Sequence, residues 1–397
     1  MAEMTTGQRV ARARRRKGWT QAELAQRVGR SASWVAKIEG GFASLDRRSV
    51  LDHLADVLGV EVVELTGQPF RHESPAQDSG HAGIPALRLA LQRAALPMLA
   101  GLDRPVRTLA EITADVESIE ALRQAARFDV VAGRLPSVIE ELVILGRSGP
   151  QDQVGSLMVR ACHVARVMSN LTGHHDLAWT ALERELSAAS SIGAPVEMAA
   201  AHWDLCWAWL HAGAVVEAQS AATSALDALD AHVGTGDDVT DQMWGALHLR
   251  AAIAAARRWN TVEARSHLEE ARRVIPAERD ANAWQTNFCA PVHAVHAVEV
   301  EVELGHPGDA VRLAGEVPVA DMHAGERLSH YWILTARASQ MNAQSDRALR
   351  AILEAERIAG PYVINRPMTH DLVNGLLHTS RGVPDELRRL ADVIGVA

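Results

Sequence analysis

The sequence predicts an all-α protein in two parts, a small N-terminal unit of short helices and a much larger stack of helix pairs. Two observations predict it. Glycines at positions 18, 29, 40, 41, 59 and 67 cut the first 66 residues into short helical runs. From residue 86 to residue 397 the chain is instead Ala- and Leu-rich, with a helical period almost throughout and nothing that reads as a strand. Between them, residues 67–85 (GQPFRHESPAQDSGHAGIP) mix Pro, Gly, Ser and polar residues without an apolar period, the composition of a linker. The expected organisation is therefore 1–66, 67–85 and 86–397.

At 397 residues the chain is too long for one ordinary core. Its 48% hydrophobic and 22% charged residues exclude a disordered or fibrous class. No run approaches the roughly 18 apolar residues that span a bilayer, and no apolar signal core opens the chain, so a cytoplasmic protein without a membrane partner is expected. The cysteines, Cys162, Cys206 and Cys289, are too far apart for a metal knuckle and read as small core residues. The formal charge of −9 is unevenly spread. Residues 1–65 hold 11 Lys/Arg against 8 Asp/Glu, a net of +3, which leaves 29 against 41, a net of −12, for the rest. Only the first part has the sign that phosphate binding requires. Lysine occurs only at 17 and 37, an arginine bias like that of GC-rich bacterial genomes.

Within that part, Thr20 is placed to cap a helix, with Glu23 three residues on completing a capping box. That helix turns Leu24, Ala25 and Val28 inward, and Gly29 stands where a left-handed residue usually ends a helix. Ser31 caps the next helix, whose Val35 and Ile38 point inward.

These residues resemble the phage-repressor helix-turn-helix of the Cro and xenobiotic-response-element (XRE) family. The runs that carry the resemblance are Thr20-Gln21-x-Glu23-Leu24-Ala25, Val28-Gly29, Val35-x-x-Ile38-Glu39-Gly40 and Leu54-Ala55-x-x-Leu58-Gly59, about 60 residues in all. The resemblance implies a five-helix unit whose helix from Ser31 enters the major groove of double-stranded DNA while the helix from Thr20 lies across its edge. It implies that Gln21 holds a phosphate or a base edge, that Ala32, Ser33 and Lys37 fall on the base-reading positions with Arg30 and Trp34 flanking them, and that Arg14 and Glu39 form a buried ion pair. Ala32 departs from the Gln of many relatives and offers only apolar contact to a thymine methyl, leaving Ser33 and Lys37 as the polar readers. Trp34 fits equally against sugar edges or over the core. So few base contacts imply a homodimer, held mainly by the larger part.

In that larger part, Ala178, Ala218, Ala264, Ala310 and Ala348 each stand near the start of a helix, at steps of 40, 46, 46 and 38. Such a drifting period marks stacked helix pairs, with a small residue where two helices approach at about 8–10 Å. It resembles a degenerate tetratricopeptide solenoid; an irregular helical bundle is the alternative. The inner helices of the pairs carry Arg160 and His163, His202 and Trp203, Trp244 and His248, Asn287 and His293, and His330 with Trp332. His163 and Trp203 lie 15 residues before their alanines and His248 16 before its own, so they are expected at equivalent places on a groove. Stacking rings with imidazole and amide donors suit a peptide or flat small-molecule effector. The alternative is that the rings fill gaps between repeats. By resemblance to bacterial peptide-binding regulators of this layout, Asn287 is the expected peptide-backbone contact and Asn170 the second.

Three function classes follow: a ligand-sensing DNA-binding regulator, a DNA-binding regulator whose helical part is only an oligomerisation or docking scaffold, and an enzyme. The last is the poorest fit. His293-x-x-His296 and His174-His175-Asp176 lack the i, i+4 spacing and glutamate of a zinc-protease helix, and no phosphate-cradling or dinucleotide loop occurs. No cofactor or metal is expected.

Overall fold

A computed structural model describes residues 4–43, 45, 47–69, 80–96, 105–147, 149–235, 237–276, 282–379 and 382–396. Among these residues there is no strand, and no helix is long and apolar enough to cross a membrane.

Five short helices form the N-terminal unit: α1 (Thr6–Arg16), α2 (Gln21–Arg27), α3 (Ala32–Glu39), α4 (Arg48–Leu58) and α5 (Val62–Thr66). Their boundaries follow from local capping chemistry. Thr5 with Gln8 and Thr20 with Glu23 each close a reciprocal capping box, and the Ser31 hydroxyl accepts the Trp34 N–H at 3.1 Å. Gly29 takes φ +64, the left-handed conformation that the turn between α2 and α3 needs. Gly7 matters for a different reason. A Cβ there would lie 2.0 Å from the Ile38 carbonyl oxygen, so only glycine lets α1 and α3 touch. Val10, Leu24, Val35, Ile38, Leu54, Leu58 and Leu65 fill the resulting core.

Of the expected linker, residues 70–79 lie outside those described. Its C-terminal end is helical, since Pro85 falls in the first turn of α6 (Ile84–Ala94). Proline's fixed φ and missing N–H suit that position, so here it starts a helix.

Six helix hairpins follow: α7 (Leu109–Gln124) with α8 (Phe128–Leu145), α9 (Gln151–Leu171) with α10 (His175–Ile192), α11 (Pro195–Ala212) with α12 (Val215–Leu229), α13 (Asp238–Arg257) with α14 (Thr261–Arg273), α15 (Ala290–Leu304) with α16 (Pro307–Ala314), and α17 (Gly325–Met341) with α18 (Ser345–Ile364). The pair α19 (Pro367–Thr379) and α20 (Asp385–Ile394) ends the stack. Ala178, Ala218, Ala264, Ala310 and Ala348 are each the fourth residue of the second helix and at most 3% exposed, as the spacing predicts. In the first hairpin the same place holds buried Val131. Five residues before each of these stands a left-handed residue: Ala126, Gly173, Gly213, Trp259, Gly305 and Ala343. The N–H after it reaches back to the carbonyl five residues earlier, as in His174 to Ser169 and Gln344 to Ser339. One helix-ending motif thus repeats through the domain, satisfying carbonyls that the helix end would orphan.

The stack curves until its ends meet. One apolar core runs through α6–α10 and α17–α20, and Arg123 of α7 pairs with Glu326 of α17 at 2.7 Å. Cys162, Cys206 and Cys289 are all buried within the stack, and burial pushes the Cys206 thiol up to about 12.

The N-terminal unit is seated on this ring through α4, whose first turn has no side-chain cap of its own. Glu303 of α15 supplies one, its carboxylate accepting the N–H groups of Arg48 and Ser49 at 3.4 Å each, a favourable charge at a helix N-terminus. Arg48 also pairs with Asp52 at 2.8 Å and donates to the His211 carbonyl, while Arg257 of α13 stands 3.8 Å from Asp52. The two parts are therefore joined by a buried charged network.

Candidate functional site

Two places in the fold concentrate chemistry, the outer face of α3 and the centre of the ring. On α3, Val35 and Ile38 are buried, while Ala32, Ser33 and Lys37 are exposed on the opposite face. Trp34 is intermediate, packed against the edge of the core with the Arg30 guanidinium 5.7 Å from its ring centre. Ser31 is itself exposed and spends its hydroxyl on the cap.

Behind this face, Arg14 donates to both oxygens of Glu39 at 2.6 and 2.8 Å and to the Trp19 carbonyl at 2.6 Å. The Gln21 amide nitrogen adds a third donor to Glu39 at 2.8 Å. Burial alone would raise the Glu39 carboxyl, yet Arg14 and Gln21 hold it below its usual range. A bidentate guanidinium–carboxylate pair fixes both distance and plane, so α1, α2 and α3 are locked at one crossing. The Gln21 amide, expected to hold a phosphate or a base edge, spends a donor on this lock.

At the centre of the ring lies a cavity of about 110 Å³. Six arginines reach it: Arg48 from α4, Arg123 from α7, Arg166 from α9, Arg250 from α13, Arg327 from α17 and Arg366 just after α18. Among the described residues only two carboxylates, Glu299 and Glu326, line it with them. Arg123 is matched by Glu326, Arg48 by Asp52, and Arg166 by Asp204 at 2.7 Å. Arg250, Arg327 and Arg366 have no carboxylate within ion-pair distance among the described residues. Arg250 is 5% exposed and lies against two indoles, 4.2 Å from the ring centres of Trp203 and Trp207. Burial, with Arg327 nearby, lowers its pKa to about 9, so it remains cationic near neutrality. Cation–π contact of about 2 kcal/mol offsets only part of the several kcal/mol that burying a charge costs.

Of the residues expected on a groove, the cavity gathers His163, Trp203 and His330. Asn170 also borders it. The others are placed elsewhere. Arg160 pairs with Glu120 at 2.5 Å, His202 bonds its own helix through the Met198 carbonyl, His248 meets His267 at 2.8 Å, and His293 bonds the Leu268 carbonyl at 2.8 Å. Trp244 is buried in a core cluster, and Trp332 packs beside the main core. Asn287 has φ +51, bonds the Gln285 carbonyl at 3.2 Å and borders a neighbouring cleft of about 580 Å³. The alanine spacing equates His248 with His163, at 16 against 15; each residue turns a helix by about 100°, and Arg250, at 14, occupies the inward place instead. Sequence reasoning missed Arg166, Arg250, Arg327 and Arg366. Positions 14–15 and 11–12 before the alanines hold His163 and Arg166, Trp203 and Trp207, and His296 and Glu299, all of them on the cavity, so that double register was the available signal for Arg166 and Arg250 but not for Arg327 or Arg366.

His163, Glu185 and Asp204 bring three potential metal ligands together behind the cavity. Arg166 already supplies the cation there. Asp204 bonds both His163 and Arg166 at 2.7 Å, and burial, with Asp204 beside it, holds the Glu185 carboxyl well above its usual range, so the group reads as a buried charge network around Arg166.

Residues 6–66 match a family described as a helix-turn-helix domain. No curated protein matches the chain.

Proposed function

We propose that the protein is a sequence-specific, DNA-binding transcriptional regulator and not an enzyme, with the ring of hairpins as the part that senses an effector. The observation that carries this reading is the division of α3. Its inner face is fixed by core packing and the Arg14–Glu39–Gln21 lock, and its outer face leaves Ser33 and Lys37 exposed and uncommitted. In the major groove a lysine ammonium suits guanine O6 and N7, a serine hydroxyl suits any base edge, and the Ala32 methyl suits thymine. Arg12, Arg15, Arg27 and Arg30 are exposed on the same unit and suit phosphates. One such unit makes few base contacts, so occupancy by two copies on half-sites about 34 Å apart is part of the proposal.

The sensing role rests on how the two parts are joined. Arg48 belongs to the DNA-reading unit and also lines the ring's cavity, so an occupant of the cavity and the seating of α4 share a residue. The cavity's volume suits a small molecule; ligand pockets of drug-like size measure about 300 Å³ or more, and a peptide needs at least that.

Selection of the full chain on random duplex DNA tests the proposal. One enriched motif with paired half-sites is expected, together with affinity that falls steeply as salt rises through the phosphate contacts. Recovery of unenriched DNA with the same salt dependence would overturn the sequence-specific reading.

A further inference from the structure

We infer that the cavity at the centre of the ring is a binding site for a small organic dianion, a metabolite with two carboxylates or a phosphate group, held by Arg250, Arg327 and Arg366. This names the effector class for the sensing role proposed above and rests on that reading only for its regulatory consequence; the site itself is argued from the cavity alone.

Three observations converge on it. First, the charges do not balance. Once the matched pairs are set aside, three arginines face one glutamate among the described residues, Glu299, which lies 3.5 Å from the imidazole of His330. An excess of two positive charges remains in an interior that otherwise pairs its ions closely. Second, the donors are unspent. The Nε of Arg250 and of Arg366, one Nη of Arg123 and one Nη of Arg166 are buried without an acceptor. Buried polar groups are almost always satisfied, so four guanidinium nitrogens around one cavity with no acceptor among the described residues suit the acceptor oxygens of a ligand. Third, the arginines are held in the way that recognition needs. Arg250 lies 4.2 Å from the ring centres of both Trp203 and Trp207, and Arg366 lies 4.1 Å from the Tyr362 ring centre and donates to its hydroxyl. Aromatic rings hold these guanidinium groups in place, and the N–H groups not spent within the chain suit carboxylate and phosphate oxygens.

The volume limits the ligand. About 110 Å³ is less than the engineered cavity of about 150 Å³ that admits benzene, which confines the occupant to a compact molecule. Trp203 and Trp207 supply apolar lining for a short carbon chain, and Asn365 and His163 add polar atoms. Arg48 brings the DNA-reading unit to the same wall, so the anion would contact both parts of the protein at once.

The test is calorimetric titration and thermal unfolding of the full chain with four probes at matched ionic strength: inorganic phosphate, pyrophosphate, malonate and acetate. Saturable heat and a raised melting temperature are expected with at least one divalent probe and not with acetate; the phosphate and malonate arms tell which acid group the site prefers. Arg250→Met and Arg366→Gln should each weaken the response about tenfold or more. Arg250→Met should leave the empty protein at least as heat-stable as the wild type, because it removes an unmatched buried charge while keeping an apolar stem against the indoles. Arg366→Gln provides the same comparison should the first variant fold poorly. Equal responses to acetate and the divalent probes, no response to any probe, or a full response in both variants would overturn the site. None of these readings involves DNA, so a failed site and a failed regulator are told apart.

Discussion

Replacing Arg14 with leucine is expected to cost about 3–5 kcal/mol and to open the N-terminal unit while the ring stays folded. Glu39 has a side chain 6% exposed, and Arg14 supplies two of its three hydrogen bonds. Without the guanidinium the carboxylate would stay buried, with only the Gln21 amide to hold it. A unit of about 60 residues has a stability of only about 3–9 kcal/mol, so the loss is a large share of the whole. The control separates the pair's net worth from the cost of breaking it. Because apolar replacement of both partners removes the buried charges together, Arg14→Leu with Glu39→Leu should recover much of the loss. Hydrogen exchange resolved by segment is the measurement. Amides of residues 6–66 should lose protection in the single variant and regain part of it in the double one. Unchanged protection in Arg14→Leu would contradict the lock.

Acidification is expected to destabilise the ring from about pH 6.5 downward, well before ordinary carboxylates titrate. Burial lowers the pKa of His175 to about 4 and of His248 and His296 to about 3. In the unfolded chain each would titrate near about 6.5, so below that pH the unfolded state binds more protons than the folded one. Stability that is fully present above that value is therefore lost as pH falls toward the folded values. Each histidine contributes about 1.4 kcal/mol per pH unit across that window, or about 2 kcal/mol apiece and about 6 kcal/mol together at about pH 5. His163, His211, His267, His293 and His330 are shifted the same way. Burial raises Glu185 and Asp52, which work in the opposite direction, but they are two groups against eight. Melting temperature followed from pH 7.5 to pH 5 should fall steadily. A flat profile over that range would show that these imidazoles are solvated or already protonated in the folded protein.

How legible these features were in the sequence depended on how local their causes are. The N-terminal unit is written in short-range code: Thr20 with Glu23, Ser31 with the Trp34 N–H, and Gly29 at its left-handed turn all act within three residues of one another. The hairpins were legible because the alanines stand where a second helix must approach closely, and each proved to be the fourth residue of its helix. The turns were only half legible. Gly173, Gly213 and Gly305 announce a left-handed residue, whereas Ala126, Trp259 and Ala343 adopt the same conformation without glycine. In those three the hydrogen bond back across the helix end and the packing of the pair override the residue's own preference.

The cavity was the least legible part because it depends on closure of the whole ring. Arg123 and Glu326 are 203 positions apart, and nothing near either residue foretells their pairing. On each inner helix a displacement of one or two residues decides between cavity and outer packing, which is why Arg250 and not His248 faces inward. The seating of α4 on Glu303 is equally non-local, and it explains why α4 begins at Arg48 with no capping residue in its own sequence.

Ser33 and Lys37 are the proposed base readers of α3, and comparing the wild type with the Ser33→Ala, Lys37→Ala variant on the motif enriched by the full chain decides whether they are. Both residues are exposed, so the variant should keep the wild-type melting temperature. It should lose about 2–4 kcal/mol on the enriched motif while its weak, salt-sensitive affinity for unrelated duplex falls by only the one lysine contact. Wild-type affinity and unchanged motif preference in the folded variant would contradict the account.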